Sequence, residues 1–294
     1  MTALIKETIY HAGSPFRVMI LSPHGSSGEN FFKEFPEILK HEKIIEKKEE
    51  FLKYIELEKD SGTTELCHKI AEDLEANGIG SIVIELDYPR AILDGGRVLD
   101  NCIRDALPRD LGEELNSQFL AIHQKSLDRL LELYAVLNTN KGLILDVHTM
   151  ASYCPVYKGA KQTKTISFDT LDSYLRQYFG APKEESNIRY FDLITSDVRG
   201  MELGDKILKS HLEHELQEAG IPYMLNKPYA ASDEFLMYPN LTHCRGICFD
   251  IPKHSLSTHH ADPKGFDLAN IELDNGQLEI YAALMTGALI KTLE

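Results

Sequence analysis

Positive charge is what this chain has least of. Lys and Arg number 31 against 46 Asp and Glu in 294 residues, a formal charge of −15. Phosphate contacts need clustered Lys and Arg, so binding to nucleic acid or to an anionic membrane is not expected. The Tyr and Phe residues show no base-stacking pattern beside basic clusters. An anionic small molecule would approach against the mean field. Long apolar runs are missing too: no window approaches the ~18 uncharged apolar residues of a membrane span. The first residues show neither a basic patch before an apolar stretch nor a small-residue cleavage site, the marks of a secretory signal. Cysteine is scarce and odd in number: Cys67, Cys102, Cys154, Cys244 and Cys248. Their spacings form no disulfide framework, so the expectation is reduced thiols in a cytoplasmic protein. Cys244 and Cys248 look like half a metal site, but no second pair accompanies them. Neither Gly-x-Gly-x-x-Gly nor Gly-x-x-x-x-Gly-Lys-Ser/Thr occurs, so nucleotide binding has no motif behind it.

What is present is ordinary globular material, 43% hydrophobic and 26% charged. Arg17-Val-Met-Ile-Leu21 is a short apolar run that empties into Ser22-Pro23-His24-Gly25, a strand followed by a loop. Residues 33–58, rich in Lys and Glu with interspersed apolar positions, predict one or two amphipathic surface helices. Asp60 opens a helix through Ala76, with Leu66, Ile70 and Leu74 as its apolar stripe and Gly78 as its stop. Strands are expected at 80–86, 141–148, 221–226 and 246–251, and helices at 115–137, 169–179, 204–219 and 277–293. Strands alternating with helices predict an α/β fold with a mixed, mostly parallel sheet. No repeat or Pro/Gly-rich linker divides the chain, so residues 1–294 are expected to form one domain.

Two of those strands run into histidine at their carboxyl ends, at His24 and at His148. Ligand sites of open α/β sheets lie outside the carboxyl ends of strands, so the two can converge. Two imidazoles are nitrogen ligands of the kind zinc prefers, and a catalytic zinc adds a third protein ligand, often a carboxylate. Asp60 can sit on the same rim, although read alone it is a helix N-cap. Glu29, five residues after His24, is a rival, and spacing does not choose between them. Asp146 points to the same side of its strand as His148 and can hold that imidazole from behind. The His243, His254, Thr258-His-His-Ala-Asp262 region suggests a separate metal site. Adjacent histidines on a strand point opposite ways, however, and a polar loop is the expectation there.

Six segments occur in a telling order: Ser22-Pro-His-Gly25, Asp60-Ser-Gly-Thr-Thr-Glu-Leu66, Arg90-Ala-Ile-Leu-Asp94-Gly-Gly-Arg97, Leu145-Asp-Val-His-Thr149, Asn226-Lys-Pro-Tyr229 and Phe249-Asp-Ile251. Together, over residues 18–256, they resemble the N-formylglutamate amidohydrolase family, a branch of the zinc carboxypeptidase-like hydrolases. The Asp60 segment also looks like the Glu-x-Gly-Thr-x-Glu-Leu stretch of poly-γ-glutamate hydrolases, whose first acidic residue binds zinc. The resemblance implies a three-layer α/β/α domain and one zinc ion per chain on His24, Asp60 and His148, which favours Asp60 over Glu29. It implies Asp250 as general base, Arg90 as the partner of a developing oxyanion, and Arg97, Asn226 and Tyr229 as substrate-binding residues. His123 is a further match in the long helix. The departures are Gly96 where the family has Asn, Asp250 where it has Glu, and Thr149 where it has Ser. The implied activity is hydrolysis of the amide bond of an anionic N-acyl amino acid such as N-formylglutamate, or of a related small peptide. Two alternatives accompany it: a zinc carboxypeptidase or γ-glutamyl peptidase, and a homologue that binds without catalysis.

Overall fold

The computed structural model describes residues 4–11, 14–153, 166–180, 183–263 and 271–294. Cys154 lies outside the described residues. In chain order the elements are β1 (Ile5–Tyr10), β2 (Val18–Ser22), α1 (Glu29–Glu34), α2 (Pro36–Lys40), α3 (Glu42–Glu46), α4 (Lys48–Glu58), α5 (Thr63–Ala76), β3 (Ser81–Leu86) and α6 (Arg109–Thr139). Then come β4 (Leu143–Met150), α7 (Leu171–Phe179), β5 (Phe191–Ile194), α8 (Lys206–Glu218), β6 (Tyr223–Leu225), α9 (Met237–His243), β7 (Gly246–Pro252) and α10 (Asn275–Leu293).

The strands form one seven-stranded sheet in the order β1-β3-β2-β4-β7-β5-β6. The centre, β3-β2-β4-β7, is parallel, while β1 joins β3 and β5 joins β7 antiparallel. The sheet is therefore mixed and mostly parallel at its core, as the sequence predicts. Side chains alternate across it with period two. Val18, Ile20, Leu145, Val147, Ile247 and Phe249 face α5, α8 and α10. Met19, Leu21, Ile82, Ile84 and Ile144 face the second half of α6. Helices thus cover both faces, the three layers expected of this fold. The first half of α6 packs with α1–α4, α7 and the loop at 88–107 in a separate apolar cluster.

The sequence reading departs from the structure in three places. Residues 33–58 form most of four helices rather than one or two. Phe35, His41 and Lys47 leave helical geometry at each junction, and Pro36 starts α2 at a position where its missing N–H costs nothing. The edge strand β1, the four-residue β5 and the seven-residue α9 add to the expected elements; β1 carries Lys6, Glu7 and Thr8 and is nowhere buried, so it shows no apolar run, and β5 and α9 are too short for their periodicity to stand out. Helix α5 begins at Thr63, and its N-cap is Gly62 at φ 90°, a left-handed conformation natural to glycine. Asp60 is therefore not a cap, and its carboxylate is free for another task.

Candidate metal centre

Alternation places the polar residues of the central strands on one face. Asp146 is paired with Cys248, and His148 with Asp250, across β4 and β7. Asp192 is paired with Asp250 across β5 and β7. All five point away from the α5/α8/α10 layer, whose core takes the intervening Leu145, Val147, Phe249 and Leu193. His24 lies two residues beyond β2, and the Asp60 N–H donates to the His24 carbonyl at 2.9 Å, which ties the two loops together. The loop is further held by Lys253, whose buried ammonium donates to the Leu57 carbonyl at the C-terminus of α4.

His24 Nδ1 and His148 Nδ1 converge on the same oxygen, Asp60 Oδ2, at 3.2 and 3.3 Å. All three residues are buried, and their donor atoms lie within 4.8 Å of one another. Zn–N and Zn–O bonds of about 2.0–2.2 Å put the edge of a coordination tetrahedron at about 3.3–3.5 Å. The two measured separations fit that edge. The opposite nitrogens face carboxylates: His24 Nε2 lies 2.8 Å from Asp94 Oδ1, and His148 Nε2 lies 2.9 Å from Asp146 Oδ1. Each ring thus stands between two carboxylates, and the Gly96 N–H also points at His24 Nε2 at 2.9 Å. Two histidines and a carboxylate, each imidazole oriented from behind, make the donor set of a catalytic divalent metal. The residues fit such an ion.

The charge around this trio is tightly organised. Burial pushes Asp60 up, but the Arg90 charge and the His148 and His24 contacts outweigh it and hold its carboxyl well below the usual range. Arg90 Nη1 donates to Asp60 Oδ1 at 3.2 Å. Asp94 is buried and also held low, with His24, Arg90 and Arg104 overcoming its desolvation. Its Oδ2 accepts from Arg97 Nε at 3.0 Å and from Arg104 Nη1 at 3.3 Å. Burial would lower His148, yet the Asp146 charge beside it raises the ring well above the ordinary histidine value. Asp250 shows the opposite effect: burial, then the Asp60 charge, pushes its carboxyl up to about 7. Asp250 Oδ1 and Arg90 Nε are buried without a hydrogen-bond partner among the described residues.

The remaining sequence candidates divide clearly. Glu29 stands exposed at the start of α1 in an ion pair with Lys33, away from the trio. Arg97 joins the site through Asp94, its guanidinium 4.7 Å above the Phe235 ring. Tyr229 is 38% exposed at the rim, accepts from Arg189 Nη1 at 3.1 Å, and feels the charges of Asp250 and Arg90. Asn226 has a structural occupation: its Oδ1 accepts from the Thr195 and Ser196 N–H groups, so its amide braces the end of β5. His123 is buried behind the arginine loop, donating from Nε2 to the Arg97 carbonyl, with Nδ1 taking the Tyr88 hydroxyl. His243, His254, His259, His260 and Asp262 form no ligand group among the described residues. Cys248 does belong to one, with Asp146 and His148, which the sequence reading did not foresee.

Gly96 turns out to be a seat for the His24 ring. A Cβ there would lie 2.5 Å from Cε1 and 2.6 Å from Nε2 of His24. An asparagine, the residue expected from the resemblance, has no room beside this ring. Sequence reasoning also missed Arg104, Arg189, Asp192, Asn240 and Lys253. The only signal for any of them was proximity to a quoted segment.

No protein-family model and no curated protein matches this sequence. Solved structures do. The N-formylglutamate amidohydrolase of Ralstonia eutropha JMP134 aligns over 98% of this chain and 97% of its own, at 13% identity and a TM-score of 0.55. A gene product of Agrobacterium tumefaciens, Atu2144, aligns over 98% and 96%, at 13% identity and a TM-score of 0.51. A bacteriophage poly-γ-glutamate hydrolase covers 100% and 91% at 9% identity, with a TM-score of 0.42, too low to argue a shared fold. The first two establish the fold, an α/β architecture common to this chain and to an amidohydrolase. At such identity they do not carry the chemistry across.

Proposed function

We propose that this protein is a metal-dependent hydrolase of amide bonds, acting on a small anionic N-acyl amino acid or peptide, with N-formylglutamate as the first compound to test. The observation that carries the reading is the convergence of His24 Nδ1, His148 Nδ1 and Asp60 Oδ2 beside the buried Asp250, whose Oδ1 has no hydrogen-bond partner among the described residues. The fold shared with an N-formylglutamate amidohydrolase supports it. A zinc ion on His24, Asp60 and His148 would supply Lewis acidity and an activated water.

The chain's own residues supply the rest. Asp250, raised to about 7, takes a proton from the attacking water and returns it to the leaving amine. Arg90, anchored on Asp60 through Nη1, keeps its Nε–H for the oxygen that becomes negative. Arg97, stiffened by Asp94 and Phe235, and Tyr229 at the rim meet the substrate carboxylate. Asn226 contributes by shaping the turn that carries Tyr229.

Elemental analysis of purified protein should find stoichiometric zinc, and an amine-release screen should find turnover on N-acyl amino acids. His148→Ala should lose both. Wild type that holds no metal and gains no activity with added zinc would sink the reading. Turnover confined to γ-glutamyl compounds or to peptides with a free C-terminus would select the peptidase alternatives. Stabilisation by acyl amino acids with no product would select the binding homologue.

A further inference from the structure

His148 belongs to two buried trios at once. Through Nδ1 it faces Asp60 and His24; the second trio joins it to Asp146 and Cys248. Asp146 lies on the Nε2 side of the ring, opposite to Asp60, so the two arrangements compete for the imidazole. A thiolate is an attractive ligand for zinc and other borderline-soft ions. Something must keep the Nε2 side closed to metal.

Asn240 meets that requirement. It is fully buried on α9, which packs against β4 and β7. Its Nδ2 donates to Asp146 Oδ2 at 2.8 Å, and its Oδ1 accepts from the hydroxyl of Tyr134 on α6. The amide has one workable orientation here. A carboxylate oxygen only accepts, so the NH2 group must face Asp146 and the phenol must donate to Oδ1. With Oδ2 tied down, Asp146 Oδ1 stays 2.9 Å from His148 Nε2. That contact turns Nε2 towards Asp146 and leaves Nδ1 facing Asp60 and His24, where the first trio gathers.

We infer that Asn240 is a positioning residue that selects Nδ1 of His148 as the metal-binding nitrogen and closes the Asp146–His148–Cys248 group to metal. The inference rests on the metal reading above. Cobalt(II) tests both, because thiolate ligation to cobalt adds a charge-transfer absorption in the near ultraviolet. Wild-type protein should bind one cobalt ion without that absorption. Asn240→Leu, of similar volume but without the two hydrogen bonds, should bind about 10–100-fold more weakly in chelator competition. It should also show the thiolate absorption, which Cys248→Ser in the same background removes. Unchanged affinity, a fall without the thiolate absorption, or that absorption already present in wild type would overturn the inference. If Asn240→Leu does not fold, Tyr134→Phe decides, since it frees the amide while leaving the Asp146 bond. It should weaken cobalt binding and show some thiolate absorption, and wild-type behaviour would overturn the inference. Wild type that binds neither cobalt nor zinc would instead defeat the metal reading itself.

Discussion

Asp250 owes its character to burial and to the charge of Asp60. His148 and Asp192 flank it in the sheet, and burial together with the Asp60 charge raises its carboxyl to about 7. As pH falls through about 7 the folded protein protonates this group and loses its base, so kcat/KM should fall on the acid side. Asp250→Asn should retain metal and lose about 10²–10⁴ in kcat, the usual share of general acid–base catalysis. Steady-state rates across pH check both points, and an unchanged kcat removes Asp250 from the reaction. The same shift opposes folding in the metal-free protein. Between the ordinary aspartate value of 3.8 and about 7 the folded chain keeps a proton that the unfolded chain releases. Stability therefore declines as pH rises through that window. Chelator-treated Asp250→Asn should gain on wild type most at pH 8 and least at pH 4 in thermal melts. At Gly96 the constraint is steric. Gly96→Ala drives a methyl into the buried His24 ring, which must leave Asp94. Metal affinity should drop about 10–100-fold by chelator competition.

At the scale of elements, the turn after β6 depends on a strand two positions away in the sheet order from β4. Asp192, buried in β5, accepts from the Lys227 N–H at 2.8 Å and the Tyr229 N–H at 3.2 Å. Desolvation raises its carboxyl, and those backbone donors only partly offset the rise. Asp192→Ala leaves both donors without their acceptor and should cost about 1–3 kcal/mol, measured by urea unfolding. It should also raise KM more than it lowers kcat, because Tyr229 is at the rim while the trio is held by other strands. The Lys-Glu segment shows a different balance. Its helices are short and broken, yet Phe31, Ile38, Ile44, Phe51 and Tyr54 are all buried in one apolar cluster. Tertiary packing, rather than local propensity, holds this region.

Over the whole molecule, the formal charge of −15 does not describe the site. Arg90, Arg97, Arg104 and Lys253 gather around Asp60 and Asp94. With Asp146 and Asp250 counted in, the charges nearly balance, and a divalent cation would tip the group positive, so an acidic ligand would meet a local field opposite to the mean one. Metal binding only the folded state must also raise stability by mass action. Added zinc should raise the melting temperature of chelator-treated wild type, whereas Asp60→Asn should melt at the same temperature with or without zinc. Among the described residues no helix is long and apolar enough to cross a membrane.

Local pattern was enough for much of this. Apolar runs marked β2, β3, β4 and β7 because strands covered by helices on both sides are apolar over most of their length. The stripe of Leu66, Ile70 and Leu74 marked α5 because a helix buries every third or fourth side chain. His24, Asp60 and His148 were legible as candidates because each sits where such an element starts or ends. What the sequence could not hold was adjacency. Asp94 behind His24, Asn240 behind Asp146, and Asp250 beside His148 are contacts between segments far apart in the chain. They depend on strand order and register, which are decided by how whole faces pack rather than by any local run of residues. The same holds for exclusion: Asp60 looked like a helix cap and Asn226 like a pocket residue. Only the folded chain shows Gly62 taking the cap from the first and β5 claiming the amide of the second.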